Sequence, residues 1–140
     1  MSSIRSRETD PPTDVEDSTY YVLGDDHVGS AIAEQLHANG HQVTIVGESQ
    51  EPSDVPGFVG SPLAVDVLSE SGIGAASAVV VATRSDRRNL LVAQLVKAHF
   101  DVSRVVVVVK DPDRTALFEA AGHEPVCATT VLSRAVGEVV

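Results

Sequence analysis

The sequence predicts an α/β fold: a doubly wound parallel sheet of about six strands with helices on both faces. Three observations predict it. Short apolar runs alternate with amphipathic stretches from Thr19 onward. The runs, "VVVVV" and the stretch from Ala78 to Ala82 within "AASAVVVAT" among them, are continuously apolar, the pattern of strands buried on both faces. Val and Ala dominate the apolar residues and aromatics make up only 4% of the chain, as a layered sheet requires.

The elements follow in order. "TYYVL" (19–23) reads as the first strand. "VGSAIAEQLHANG" (28–40) is a helix with Val28, Ile32, Ala33 and Leu36 at helical spacing, closed by Gly40. "HQVTIVG" (41–47) is the second strand. "ESQEPSDVP" has two prolines and no periodicity, so it is a loop. "GFVG" (57–60) is a short third strand. Ser61 and Pro62 supply an N-cap and a first-turn proline for a helix through Val65 and Leu68, ending near Gly72. "ASAVVVAT" (76–83) is a central strand. "SDRRNLLVAQLVKAHF" (85–100) is a helix capped by Ser85 or Asp86, with Leu90, Leu91, Gln94, Leu95 and Ala98 along one side. "RVVVVVK" (104–110) is the fifth strand. Asp111 and Pro112 start a helix that Gly122 ends, and "EPVCA" is a last short strand. Thr129 or Thr130 caps a final amphipathic helix with Val131, Leu132, Ala135, Val136 and Val139 on one stripe.

A chain of 140 residues suits one domain. Residues 1–18 are polar and charged and read as a disordered acidic tail; residues 19–140 form the domain. No run is long enough to span a bilayer, so no direct membrane insertion is expected. "MSSIRSRETD" lacks the apolar core of a secretory signal, which places the chain in the cytoplasm. The single cysteine, Cys127, excludes an internal disulfide and reads as a buried, inert thiol. The formal charge is −10 and lysine occurs only at Lys97 and Lys110. Such a surface repels phosphate backbones, so no nucleic-acid partner is expected. The same balance suits a salt-loving organism, where ionic strength screens self-repulsion, or an ordinary acidic cytosolic protein.

The stretch "GDDHVG" (24–29) follows the first strand and opens the first helix, the position of a phosphate-binding turn in a Rossmann-like sheet. Gly24 supplies the turn and Gly29 close helix packing, while the helix N-terminus offers an anion site. The fingerprint G-x-G-x-x-G has Asp26 at its middle glycine. A side chain there occupies the pyrophosphate's approach, and a carboxylate adds like charge. Asp25 and Asp26 can instead satisfy the helix's own donors, with Asp26 as the cap. The acid that binds a ribose hydroxyl at the end of the second strand is also displaced: Gly47 ends the strand and Glu48 follows.

The ordered set "YYVLGDDHVGSAIAEQLHANGHQVTIV", "LSESGIGAASAVVVAT" with Asp86, Asn89 and Leu91, and "RVVVVVKDPDRTALFEAAGHEPV" resembles the TrkA N-terminal, or RCK N-terminal, domain family. The resemblance implies a regulatory module of potassium transporters and channels. It implies binding of NAD(H) or an adenine nucleotide (ATP, ADP or AMP), assembly as a homodimer or higher oligomer, and no catalysis. Carried over by position, the phosphate loop is Gly24, Asp26, His27, Val28 and Gly29. The strand ends contribute Gly47, Glu48, Gly60, Ser61, Ala82, Thr83 and Arg84. The family usually has glycine at Asp26, an acid at Gly47 and Gly-Asp-Ala at Gly60–Ser61–Pro62, and a basic residue in the fifth strand that only Lys110 can replace. Its C-terminal ligand-binding domain is not expected after Val140.

Three readings follow. The first is a nucleotide-responsive module that associates with a potassium transporter or channel membrane subunit, its final helix either forming the dimer contact or folding back onto the same subunit. The second is a degenerate domain that has lost the nucleotide and acts through assembly. The third, an NAD-dependent oxidoreductase, is the weakest, since no Tyr–Lys or His–Asp pairing suggests hydride chemistry. His27 reads equally as a ligand contact or an exposed loop residue. His41, His99 and His123 read as solvated or capping residues beside turns.

Overall fold

The strands are β1 (Thr19–Leu23), β2 (Gln42–Gly47), β3 (Gly57–Val59), β4 (Ala78–Val81), β5 (Val105–Val109) and β6 (Glu124–Cys127). All pair in parallel, in the order β3-β2-β1-β4-β5-β6. The computed structural model describes residues 18–49 and 53–140. The expected tail up to residue 17 and the centre of the 48–56 loop lie outside the described residues. The helices are α1 (His27–Ala38), α2 (Val65–Ser71), α3 (Asp86–His99), α4 (Thr115–Ala120) and α5 (Ala128–Val139). The doubly wound α/β sheet is thus present, and its order reverses beside β1, where β2 and β4 leave in opposite directions.

One buried cluster joins Leu23, Val46, Val79, Val81, Val107 and Val109 of the sheet to Leu68 of α2, Val92 and Val96 of α3, and Phe118 of α4. A smaller one sets Val22, Val43 and Ile45 against Ala33 of α1, with Ile32, Leu36 and Val80 at its margin. These clusters occupy opposite faces, because neighbouring residues along a strand point to opposite sides.

The two faces are not equally covered. Val22 pairs with Val80 and Val80 with Val106, so Val106 shares the α1 face. Val108 and its neighbour Val126 share it too. Val80, Val106 and Val108 are only half-buried and Val126 is exposed, so β5 alternates between closed and open positions. Burial of the valine run on both faces, expected from its continuity, holds among the described residues for one face only.

Other expectations shift locally. α2 begins at Val65 with Ala64 in the cap position and no side-chain cap. Ser61 and Pro62 form a turn before it, in which Ala64 N–H donates to the Ser61 carbonyl (3.0 Å) and Leu63 N–H to Ser61 Oγ (3.2 Å). Pro62 at that spacing fits the turn as well as a first helical turn, and the turn wins. α3 buries Asp86, Asn89, Val92, Ala93 and Val96, whereas Leu91, Gln94 and Ala98 are exposed. Apolar residues run almost round this helix, so spacing alone selected the wrong side. Val28 likewise lies outward on α1, half-exposed, while Gly29 and Ala33 face the sheet. The final helix starts at Ala128, and neither Thr129 nor Thr130 caps it; Thr129 Oγ1 donates to the Lys110 carbonyl. No residue of α5 is buried, and Val131, Leu132 and Val136 are 52%, 66% and 51% exposed.

Candidate functional site

The β1–α1 loop is built by contacts that only glycine permits. Gly24 has φ +122°, and a Cβ there would lie 2.7 Å from the Ala82 carbonyl carbon. Gly24 N–H donates to the Val46 carbonyl (2.9 Å), which holds the loop against the end of β2. A Cβ at Gly29 would run into the Gly24 carbonyl group, 2.8 Å from its carbon. The chain therefore turns sharply at Gly24, and α1 starts directly above the ends of β1 and β4.

Asp26 is the N-cap of α1. Its Oδ1 accepts the Gly29 N–H at 3.1 Å, so a carboxylate of the protein holds a donor that a phosphate oxygen would use. Asp25 turns the other way, toward β2, and its Oδ2 accepts the Ser49 N–H at 2.8 Å. A Cβ built at Gly47 would overlap the Asp25 carboxyl and come within 2.6 Å of the Asp25 Cβ. The Asp25 side chain thus fills the space that any side chain at 47 would need.

Around these residues lies a cleft of about 400 Å³ at the carboxyl ends of β1, β2 and β4. Its walls include Gly24, Asp26, Gly47, Glu48, Thr83 and Arg84 of the expected set, together with Asp25, Ser49, Pro62, Ser85 and Arg88. Across the mouth, Arg88 Nη2 of α3 meets Glu48 Oε1 at 2.9 Å. Arg84 projects from the end of β4 and lines both this cleft and a second recess that holds His27, Ser30 and Glu34. A cleft at the point where strand order reverses is where open parallel sheets bind ligands.

Residues 20–133 match the TrkA-N domain family. The chain belongs to it. Among relatives of this TrkA-N domain, the Trk system potassium uptake protein TrkA of Mycobacterium tuberculosis (strain CDC 1551 / Oshkosh) is 29% identical over 115 residues, 78% of this chain and 52% of that protein. The TrkA homolog of Methanothermobacter thermautotrophicus is 28% identical over 113 residues, 75% of this chain and 51% of that protein. The chain spans about half the length of the curated relatives it matches. Among solved structures, the GsuK RCK domain superposes with a TM-score of 0.80 at 21% identity, covering 89% of this chain and 28% of that one. GsuK has also been solved bound to ADP and bound to NAD. At this identity the likeness establishes the fold alone, a Rossmann-like doubly wound sheet.

Within this TrkA-N domain the remaining expected residues lie off the cleft. Gly29 and Ala82 are buried beneath the loop, where they set its height over the sheet. Val28 faces outward from α1. Gly60 donates its N–H to the Gly47 carbonyl (2.9 Å) and packs against Val67, and Ser61 makes the turn before α2. His27 is the exposed first residue of α1, beside the cleft rather than in it.

The TrkA-N residues Asp86 and Asn89 prove to be buried anchors of the strand ends. Asp86 accepts the Lys110 and Asp111 N–H groups (2.8 and 3.0 Å), while Ser85 caps α3 by accepting the Arg88 N–H (3.0 Å). The Asn89 amide accepts from the Thr83 N–H (2.8 Å) and the Thr83 hydroxyl, and it donates to the Val108 carbonyl (2.8 Å). These two side chains tie the ends of β4 and β5 to the start of α3, next to Thr83, Arg84 and Ser85 of the cleft wall. Lys110 Nζ donates to the Arg84 carbonyl, which ties the end of β5 to the same point.

Two further expectations are corrected. His123 is buried, not solvated; burial first, then the nearby Lys97 ammonium, holds its pKa below the usual histidine value. Cys127 is half-exposed, not buried, and its thiol is held below the ordinary range chiefly by a hydrogen bond with the Thr130 hydroxyl. Among the described residues no cluster of His, Cys, Asp and Glu could hold a metal ion, and no helix is long and apolar enough to cross a membrane.

Proposed function

We propose that this TrkA-N domain is a nucleotide-binding regulatory module of potassium transport that associates, on the cytoplasmic side, with a transporter or channel membrane subunit. The observation that carries the reading is the cleft itself, walled by the glycine turn, Asp25, Arg84 and Arg88 at the strand-order reversal of a TrkA-N sheet. That GsuK is found with ADP and with NAD supports an adenine nucleotide as the ligand class. The residues fit the nucleoside half of such a ligand: the turn lets it approach the backbone, and a carboxylate stands at the end of β2. They fit the diphosphate half less well, because Asp26 already occupies the Gly29 N–H. A nucleotide would favour one arrangement of a homodimer and bias the attached transporter by no more than its differential affinity for the two arrangements. The domain binds and transmits; no reaction is assigned to it.

Calorimetric titration of the full chain with NADH, NAD, ATP, ADP and AMP tests this. Binding tighter than about a millimolar by any of them supports the module. No heat with all five would leave the second reading, a TrkA-N scaffold acting through assembly alone, which the Asp26 cap favours. Asp26→Gly frees a donor for a phosphate oxygen and should tighten ADP or NAD binding about tenfold. Its cost to stability is only a few tenths of a kcal/mol, since glycine is a tolerated N-cap. An unchanged affinity would refute Asp26 as an obstruction.

The dimer contact is assigned to α5. No residue of its apolar stripe is buried among the described residues, and Val106, Val108 and Val126 leave part of the α1 face open there. A second copy can close both. Leu132→Glu with Val136→Glu should convert the dimer to a monomer in light scattering, with the melting transition of the domain retained. A wild-type chain that is already monomeric at every concentration measured would sink the assignment.

A further inference from the structure

We propose that His123 is an acid-sensitive latch at the border of the sheet: protonating its imidazole opens the corner between α4 and β6 and loosens the base of α5. The corner is closely built. After α4 ends at Ala120, Gly122 turns the chain at φ +89°, and the His123 N–H donates to the Phe118 carbonyl (3.0 Å). Pro125 stands opposite Val107, so His123, two residues back, shares the face of Val105, Val107 and Phe118. There the residue is only 4% exposed, and neither Nδ1 nor Nε2 has a hydrogen-bond partner among the described residues. Buried side-chain nitrogens nearly always find a partner. A neutral imidazole occupies such a site at modest cost, but an imidazolium brings a second donor and a full charge into it.

Among the described residues, the charged groups on the surrounding elements supply no counter-ion. From α3 comes a like charge: Lys97 Nζ donates to the Gly122 carbonyl (3.1 Å), at the corner itself, while His99 in the last turn is exposed. From α4 comes Glu119, which is exposed, and β5 carries no charged residue. At the start of β6, Glu124 is taken by Arg104 (2.8 and 2.9 Å). Burial first, and then Lys97, favour the neutral ring. In the opened corner water reaches the imidazole, which then binds a proton near about pH 6.5. The closed corner therefore carries no penalty above that pH and is progressively lost as the pH falls through it. β6 has β5 as its one neighbour in the sheet, and α5 begins at the residue after Cys127, so this border can open while the rest of the sheet holds.

Hydrogen exchange of the full chain, read by NMR as protection factors, tests the latch. Between about pH 7.5 and about pH 5 the Glu124, Val126 and Cys127 amides should lose protection about tenfold relative to those of β2. His123→Phe, which cannot take up a proton, should keep its neutral-pH protection across that range. NMR titration of the wild-type imidazole is a second measurement that does not depend on how the variant folds; His123 should titrate below the usual histidine value. A β6 border whose protection ignores pH, a loss that persists in His123→Phe, or a His123 that titrates at or above the usual value would overturn the proposal. Each of these outcomes leaves the nucleotide and dimer readings where they stand.

Discussion

Gly29→Ala is expected to destabilise the domain by about 3 kcal/mol or more, a fall in Tm of roughly 10 °C. The added methyl would enter the Gly24 carbonyl, which is backbone and cannot rotate away. Gly24 is itself pinned by its N–H to the Val46 carbonyl and by the Ala82 carbonyl below it. Relief would require α1 to lift off the sheet, opening the contact of Ala33 with Val22 and Val43. Gly74→Ala is the control, since nothing lies within 4 Å of a Cβ there and its φ is ordinary; its Tm should move little. Equal shifts for the two variants in thermal denaturation would mean that the close approach at Gly29 is not what fixes the loop.

Asn89→Ala should cost about 2–4 kcal/mol in urea unfolding, because it strands the Thr83 N–H and the Val108 carbonyl at buried strand ends. Asn89→Asp should be no better. A carboxylate can accept from Thr83 but cannot donate to Val108, and it places a charge in a site only 2% exposed. Because Asn89 also sets where β4 ends, both variants should weaken any nucleotide binding through Arg84. A loss below about 0.5 kcal/mol for Asn89→Ala would show that water replaces the amide and that the residue has no anchoring role.

The fold was legible in the sequence because strand and helix signals agree with the punctuation between them. Gly40, Gly72 and Gly122 end their helices with φ near +90°, where glycine is favoured, and each was recognisable from position alone. What was not legible is direction. Helix α3 carries apolar residues on nearly every side, so its buried face depends on which residues the sheet presents. The valine run of β5 has no period at all, and only the structure shows that Val106 and Val108 share an uncovered face.

The candidate site divides the same way. Gly24 and Gly29 announce the turn through a spacing that backbone geometry demands. The departure at Gly47 was visible as a missing acid, but the Asp25 side chain that fills the space there was not, since a residue 22 positions away shares no sequence pattern with it. Arg88 was legible only as part of a charged helix start. Its pairing with Glu48 joins residues 40 apart, and chain spacing carries no information at that range. Asp86 and Asn89 stood out as family positions, and their role in tying strand ends together is a matter of burial.

The borders of the sheet have a consequence for how copies of this chain can meet. β3 is only three residues long, and β6 carries Pro125, which removes a backbone donor from the border. At its start, Glu124 is held by a bidentate pair with Arg104 (2.8 and 2.9 Å), which keeps the carboxyl below its usual pKa and charged down to acid pH. Such borders resist templated strand addition, the route by which sheets run on into fibrils. Any contact between copies would be steered to side-chain surfaces, where symmetry can close it into a particle of finite size.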